Sequence, residues 1–160
     1  MVRLDKLTDY GLLLLTCIAR SQQISLRTAR DLALESGLPL PTVSRLLQDL
    51  LKGGLLVSQR GIKGGYALAK KPHEISIAGV IAALEGPITL TVCSSGVAGL
   101  CDLESRCAIK KNQRVISQAI RTVLEQLTLA DLSQPLRLMT IQDARGRSLP
   151  VVSVIPGRAQ

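Results

Sequence analysis

The chain has 160 residues, a length that suits one compact domain or two small ones. Hydrophobic residues make up 46% of it, but there is no Phe, no Trp and only two Tyr, so its core must be aliphatic. No apolar run is long enough to span a bilayer, so no transmembrane helix is predicted.

The net charge of +8 is distributed unevenly along the chain. Residues 1–71 hold 11 Lys and Arg against 5 Asp and Glu, residues 72–134 hold 5 against 6, and residues 135–160 hold 4 against 1. A basic first half beside a nearly neutral middle indicates a part that binds a polyanion and a part with another task. The alternative is a basic surface that is simply solvated.

The N-terminal region does not have the pattern of a secretory signal. Asp5 and Asp9 lie too close to the apolar run Leu12–Leu15, and no small-residue cleavage site follows. We therefore expect a cytoplasmic protein, in which clustered cysteines are more often ligands or redox groups than disulfides.

An amphipathic helix is predicted over residues 3–20, where apolar side chains recur at helical spacing. Cys17 lies inside it, and we expect it to be a small core residue rather than a ligand. A second, shorter helix is predicted over residues 25–36, with Ser25 or Thr28 as its cap.

A third helix follows Gly37, since Pro39 and Pro41 are tolerated in a first turn. Its apolar side chains keep the i, i+3, i+4, i+7, i+8 spacing: Val43, Leu46, Leu47, Leu50 and Leu51. Its opposite face carries Thr42, Ser44, Arg45, Gln48, Asp49 and Lys52. Two helices joined by a short turn indicate either a helix-turn-helix or a plain helical hairpin with a solvated polar face.

A predicted β-hairpin decides between these alternatives. Residues 55–58 and 66–69 are predicted strands, and the turn that joins them is basic and rich in glycine. A helix-turn-helix followed by such a hairpin is a winged helix. In this fold the third helix can enter a major groove, and Arg60 and Lys63 at the hairpin tip can reach phosphates or the minor groove.

Two more helices are predicted, over residues 75–84 and from about residue 106 to 127. The longer one has an apolar stripe formed by Ile109, Ile116, Ile120, Val123, Leu124 and Leu127. A long helix beyond a small DNA-binding domain usually joins two subunits, because operators are two-fold; packing against its own domain is the alternative. The predicted fold is mainly α, a winged helix-turn-helix domain plus a long dimerisation helix.

Three of the four cysteines, Cys93, Cys101 and Cys107, follow the shorter helix and reach the start of the longer one in a C-x7-C-x5-C pattern. Gly96 and Gly99 allow tight backbone turns, so the three sulfurs could converge on zinc or an iron–sulfur centre that needs at least one more ligand. The alternatives are one disulfide with spare thiols, or three buried cysteines without a ligand role.

Three segments are therefore predicted. Residues 1–72 form the winged helix-turn-helix domain, and residues 73–132 form the cluster-binding loop and dimerisation helix. Residues 133–160 form a basic, mostly disordered tail that could add non-specific DNA affinity. His73, the only histidine, is expected at the surface.

The sequence resembles the iron–sulfur-sensing winged-helix repressors, which include the bacterial Isc and Suf cluster-assembly regulators and the nitric-oxide-sensitive repressors. The resemblance rests on residues 1–10, the third helix, the wing Gln59–Leu68, and the cysteine loop followed by a long helix. It covers residues 1–132, and the Suf-system regulators look most similar.

The resemblance implies a homodimer on a palindromic operator, with one cluster per subunit held by Cys93, Cys101 and Cys107. We favour a 2Fe–2S over a 4Fe–4S cluster. Isc-type members place a histidine three residues after the last cysteine, where this chain has Lys110. Other branches use an acidic residue of the first helix, so Asp9 of the partner subunit is the predicted fourth ligand. Glu104, or no fourth ligand, remains open, and the alternative for Asp9 is a surface residue or a DNA contact.

The predicted DNA contacts lie on the third helix, the wing and the second helix. Thr42, Ser44, Arg45 and Gln48 are the candidates for base readout, and Isc-type members have a glutamate where this chain has Ser44. Arg60, Lys63, Gly64 and Tyr66 are the wing candidates, and Arg27 and Arg30 are candidate phosphate contacts.

The leading functional prediction is a cluster-dependent repressor of iron–sulfur assembly genes. The first alternative has the same fold but senses nitric oxide or redox state, and the second is a cluster-carrying scaffold or electron-transfer protein. An enzyme is not expected, since there is no Ser/His/Asp grouping, no phosphate-binding glycine loop before a helix, and one isolated histidine. The residues do not decide whether the apo or the loaded form represses.

Overall fold

The computed structural model of the chain describes residues 5–20, 26–91, 101–102, 105–143 and 145–154. Its elements follow the predicted order, with additions in the C-terminal third. The helices are α1 (Lys6–Arg20), α2 (Ala29–Ser36), α3 (Leu40–Lys52), α4 (Ile77–Glu85), α5 (Lys110–Gln126) and α6 (Leu129–Leu132). The strands are β1 (Leu56–Gln59), β2 (Gly65–Leu68), β3 (Leu136–Gln142) and β4 (Ser148–Val154), and a 3-10 turn covers Pro72–Glu74.

Aliphatic side chains from α1 to α4 form the core, as the shortage of aromatic residues predicted. Leu14 and Leu15 of α1 are fully buried, and so are Leu32 of α2 and Val80 of α4. Helix α3 contributes the apolar face that its spacing predicted: Val43, Leu46, Leu47 and Leu50 are buried, and Leu51 is half-buried. The core therefore fixes which face of α3 turns outward.

The α2–turn–α3 unit begins and ends where local chemistry favours it. Thr28 caps α2, accepting a hydrogen bond from the Asp31 backbone N–H at 3.2 Å, while the Asp31 carboxylate accepts one from the Thr28 backbone N–H. Gly37 ends α2 with φ of +69°, a conformation that only glycine adopts without strain. Helix α3 then starts with Pro41 in its first turn.

The wing is an antiparallel hairpin extended by one residue of the segment before α2. β1 and β2 pair from Leu56 with Leu68 to Gln59 with Gly65. The Arg27 backbone N–H donates to the Tyr66 carbonyl at 2.9 Å, and the Tyr66 N–H donates to the Arg27 carbonyl at 2.8 Å. The wing is therefore hydrogen-bonded to the helix-turn-helix.

Helix α6, which the sequence pattern did not predict, closes the helical part. The Ile77 N–H donates to the Leu127 carbonyl at 2.8 Å, and the Leu129 N–H donates to the Ile75 carbonyl at 2.9 Å. Thr128 caps α6 with the same reciprocal arrangement that Thr28 gives α2, and Leu129 is fully buried. These bonds hold the end of α5 beside the start of α4.

The prediction of a mostly disordered tail is wrong for residues 136–142 and 148–154, which form two strands. β3 and β4 pair in antiparallel register, from Leu136 with Val154 to Gln142 with Ser148. The Asp143 carboxylate closes the turn by accepting the backbone N–H groups of Arg145, at 2.8 Å, and Arg147, at 2.9 Å. The hairpin depends on pairing between positions that lie apart along the chain, and the absence of a helical period does not reveal such pairing.

Candidate nucleic-acid interface and cysteine site

The outer face of α3 carries the side chains predicted to read bases. Arg45 and Gln48 are exposed, and Thr42 and Ser44 are half-buried. The Arg45 Nε lies 3.9 Å from the Asp49 carboxylate, and the Lys52 Nζ lies 3.8 Å from it. These are long, solvated pairs worth little to stability, so both cations can turn toward a polyanion at small cost.

A cleft of about 510 Å³ separates α3 and the start of α2 from the wing. Four predicted DNA contacts line it: Gln48, Arg60, Gly64 and Tyr66. Thr28, Lys52, Ser58 and Gln59 line it too, although none was predicted as a contact. The structure thus brings α3 and the wing together around one opening, with cations from both elements at its walls.

The wing tip is a tight turn that requires glycine. The Gly64 N–H donates to the Gly61 carbonyl at 2.9 Å, and Gly61 has φ of +118°. A Cβ on Gly64 would lie 2.3 Å from the Gln59 carbonyl oxygen, far inside contact distance. Arg60 precedes this turn and Lys63 lies within it; both are exposed, which leaves both side chains free to reach a phosphate.

The two arginines predicted beside α2 differ in their surroundings. Arg30 is exposed on the first turn of α2. The guanidinium of Arg27 instead forms an ion pair with Glu35, and its side chain is only 21% exposed. Contact of Arg27 with phosphate stays a prediction, and Glu35 had no signal in the sequence because it lies eight positions away.

Two of the three loop cysteines lie within the described residues. Cys101 and Cys107 are half-buried free thiols, and the Cys107 carbonyl accepts the Lys110 N–H at the start of α5. Cys93 lies outside the described residues, as does Glu104. Unpaired, partly accessible thiols before a helix are the kind of donor that a soft metal centre needs, so the two residues present fit an iron–sulfur group.

Asp9 is exposed in the first turn of α1. Among the described residues of one chain, no three His, Cys, Asp or Glu side chains come close enough together to hold a metal ion. Asp9 therefore does not join Cys101 and Cys107 within a subunit. Ligation by the partner's carboxylate stays a prediction.

The fourth cysteine has the core role expected of it. Cys17 is 8% exposed among the buried residues of α1. Burial raises the pKa of its thiol, and the neighbouring Glu35 carboxylate raises that pKa further. A protonated, buried thiol is a poor metal ligand. His73 is exposed on the 3-10 turn, as predicted.

Helix α5 leaves a line of its apolar stripe uncovered. Ile109, which caps the start of α5, and Ile116 and Val123 on it are spaced seven residues apart and are 56%, 48% and 46% exposed. Ile120, Leu124 and Leu127 of the same stripe are half-buried. The inner side of α5 meets α4, and the Ser117 hydroxyl accepts the Leu90 N–H at 3.3 Å. Within the described residues, no helix is both long and apolar enough to cross a membrane.

Comparison with known proteins identifies a family and several relatives that match this chain. The profile of the Rrf2 family, described as an iron-dependent transcriptional regulator, matches residues 4–135. The regulator IscR of Vibrio campbellii is 32% identical over 150 residues, which cover 91% of this chain and 88% of that protein. The regulator NsrR of Halalkalibacterium halodurans is 31% identical over 131 residues, 82% of this chain and 90% of that protein.

Solved structures agree. The global cysteine regulator CymR of B. subtilis matches with a TM-score of 0.66 and 27% identity, over 83% of this chain and 97% of that one. The T. potens IscR structure matches with a TM-score of 0.62 and 26% identity, over 82% and 85%. The predictions of a mainly α, winged-helix fold and of a non-enzymatic regulator are confirmed. The dimerisation role of the long helix and the special closeness to Suf-system regulators stay predictions. The chain therefore belongs to the Rrf2 family: it is a DNA-binding transcriptional regulator with a winged helix-turn-helix, not an enzyme.

Proposed function

We propose that the protein is a homodimeric repressor whose operator binding is set by an iron–sulfur cluster, and that it controls genes of cluster assembly. The observation that carries the proposal is the pair of free, half-buried thiols before α5, in a chain of an iron-dependent regulator family. Cys93, Cys101 and Cys107 would hold the cluster, with Asp9 of the partner subunit as fourth ligand. The cluster would supply a centre that can be lost or altered by the signal.

The dimer is supported by α5. Ile109, Ile116 and Val123 expose apolar surface at a seven-residue interval, the spacing that a second helix covers. A two-fold axis through two α5 helices would present two α3 helices and two wings to one DNA face, as a palindromic operator requires.

The DNA side is supported by the cleft between α3 and the wing. Base readout is assigned to the exposed Arg45 and Gln48, with Thr42 and Ser44 beside them. Arg60 and Lys63 are assigned to phosphates or to the minor groove, because both are exposed at the wing tip. Arg30 on α2 is a further phosphate contact.

The test is an ultraviolet–visible spectrum of protein purified without oxygen, with iron and sulfide measured on the same sample. We expect visible charge-transfer bands and stoichiometric iron and sulfide in the wild type, and their loss in Cys101→Ser and Cys107→Ser. Cys17→Ser is the matched control, since that thiol lies in the core. A colourless wild type that also resists reconstitution would refute the cluster and leave a cluster-free DNA-binding regulator.

Asp9→Ala tests the fourth ligand separately. If the partner's carboxylate completes the site, this variant should lose iron faster than the wild type, and Asp5→Ala, one turn earlier, should not. Wild-type loading and release by Asp9→Ala would reject Asp9 as a ligand without affecting the three-cysteine assignment. Exposure of the loaded protein to nitric oxide, with DNA binding as readout, separates the gas-sensing alternative.

A further inference from the structure

Three elements meet at Glu35, in the last turn of α2. Its carboxylate forms an ion pair with the Arg27 guanidinium and neighbours the Cys17 thiol of α1, whose pKa it raises. The Arg27 and Glu35 side chains are 21% and 39% exposed, so the pair is partly shielded from water. It is the only ion pair that the described residues show between the pre-α2 segment and a helix.

The backbone of Arg27 belongs to the wing. Both its N–H and its carbonyl bond to Tyr66, and the approach is close enough that a Cβ on Gly65 would lie 2.8 Å from the Arg27 carbonyl oxygen. One residue is thus held by its side chain to α2 and by its main chain to β2. A movement of Glu35 would be passed to the wing through this single residue.

We infer that Arg27 and Glu35 are positioning residues that fix the wing against α2 and α3, and that Arg27 is not a phosphate contact. A two-stranded hairpin is marginally stable alone, so the angle of the wing depends on what it is bonded to. The inference rests on the proposed use of the wing as a DNA contact. It assigns to Glu35 a task in DNA binding that its negative charge would otherwise oppose.

One substitution distinguishes a positioning role of Glu35 from a purely electrostatic effect, because the two predict opposite changes in DNA affinity. Glu35→Gln removes a negative charge near a polyanion surface, so electrostatics alone would tighten DNA binding. If the carboxylate positions the wing, the same change weakens binding to a specific site by about three- to tenfold. Glu125→Gln is the matched control, because it removes the same carboxylate from an arginine pair on α5, with Arg121 at 2.7 Å.

The binding experiment uses the full-length protein and a labelled duplex recovered from a random pool by the wild type, beside a scrambled duplex. We expect Glu35→Gln and Arg27→Gln to weaken binding to the recovered duplex equally, the double variant to be no worse than either, and Glu125→Gln to match the wild type. Exchange of the pair, Arg27→Glu with Glu35→Arg, should restore binding. Unchanged or tighter binding by Glu35→Gln, with a lower salt dependence for Arg27→Gln, would overturn the inference and make Arg27 a phosphate contact.

Amide hydrogen exchange of residues 56–68, without DNA, tests the positioning by itself. Glu35→Gln should exchange faster there than the wild type while its melting temperature changes little, and wild-type exchange would reject the inference. Faster exchange with unchanged affinity would mean instead that the wing does not contact DNA. In that case the proposed interface fails rather than the tie between Glu35 and the wing.

Discussion

Single side chains decide which cations of the proposed DNA-binding surface are free to contact DNA. Arg60 is exposed at the wing tip, while Arg45 on α3 is 71% exposed and only loosely paired with Asp49. Arg27, equally basic, is engaged by Glu35. Charge alone therefore does not identify a contact, and the partner of each cation has to be considered.

Arg60→Ala should weaken binding to every DNA sequence. The slope of log affinity against log salt concentration should become shallower by about one, the value for one lost phosphate contact. Arg45→Ala should also relax the base preference, with a loss of about 1–3 kcal/mol on the specific site. Fluorescence anisotropy at several salt concentrations measures both effects. Arg121→Ala, which removes a cation from α5, is the control, and wild-type binding by all three variants would refute the assignment.

Gly65→Ala should loosen the wing. The added Cβ would lie 2.8–3.0 Å from backbone atoms of Arg27, and backbone cannot move aside as a side chain does. We expect a loss of about 1–3 kcal/mol in the free energy of unfolding, measured by urea denaturation. A midpoint equal to that of the wild type would show that the Arg27–Tyr66 bridge can open without cost.

At the scale of the elements, the start of α2 ties stability to pH. Hydrogen bonds from Thr28 lower the pKa of Asp31 below its usual range. A carboxyl whose pKa is depressed in the folded state stabilises the protein above its unfolded-state pKa, about 3.9. That contribution is lost as the pH falls through the lower folded-state pKa.

Asp31→Asn should therefore lower the melting temperature at neutral pH, and its difference from the wild type should shrink as the pH falls below about 4. Thermal unfolding followed by circular dichroism across this range gives the comparison. A difference that stays constant with pH would exclude the ionised carboxylate as the cause.

The two threonine caps form a matched pair. Thr28→Ala and Thr128→Ala should each cost about 1 kcal/mol of stability, because each cap satisfies backbone groups at a helix start. Thr28 also lines the cleft beside α3, whereas Thr128 lies at α6. Only Thr28→Ala should lower DNA affinity, and equal binding by both variants would show that the cleft tolerates a loosened α2.

Sequence patterns predicted the elements whose signals are local. Val43 to Leu51 could only be buried on one face of a helix, Gly37 had to end α2, and the glycines between the strands required a turn. Partners distant along the chain were not predictable. Glu35 meets Arg27 where the segment before α2 pairs with the wing, and β3–β4 depends on cross-strand pairing that leaves no helical period in the sequence.

For the candidate site, the cysteine spacing indicated which residues are candidate metal ligands but not where their sulfur atoms lie. Cys101 and Cys107 proved to be half-buried and unpaired, which fits ligands but does not fix a ligand set. Asp9 would reach the cysteines only from the partner subunit, because the described residues of one chain do not bring it together with Cys101 and Cys107. The apolar stripe of α5 was visible in sequence, but its division into a covered and an uncovered side required the position of α4.

At the scale of the whole molecule, the dimer can be tested through that uncovered side. Ile116→Asp should convert the dimer to a monomer and weaken operator binding strongly, because two half-sites would no longer be bound together. Leu34→Asp is the control, since Leu34 is 79% exposed on a different helix, α2. Sedimentation analysis gives the masses, and a dimeric Ile116→Asp would place the interface elsewhere.

The near-absence of aromatic residues has an optical consequence. The chain has no Trp, and its two tyrosines lie in separate places: Tyr10 on α1, with the Lys6 ammonium 5.6 Å from its ring centroid, and Tyr66 in the wing. In a Tyr10→Phe background, all tyrosine emission of the protein would come from the wing. The molecule thus carries a built-in, label-free reporter at the position where DNA is proposed to bind.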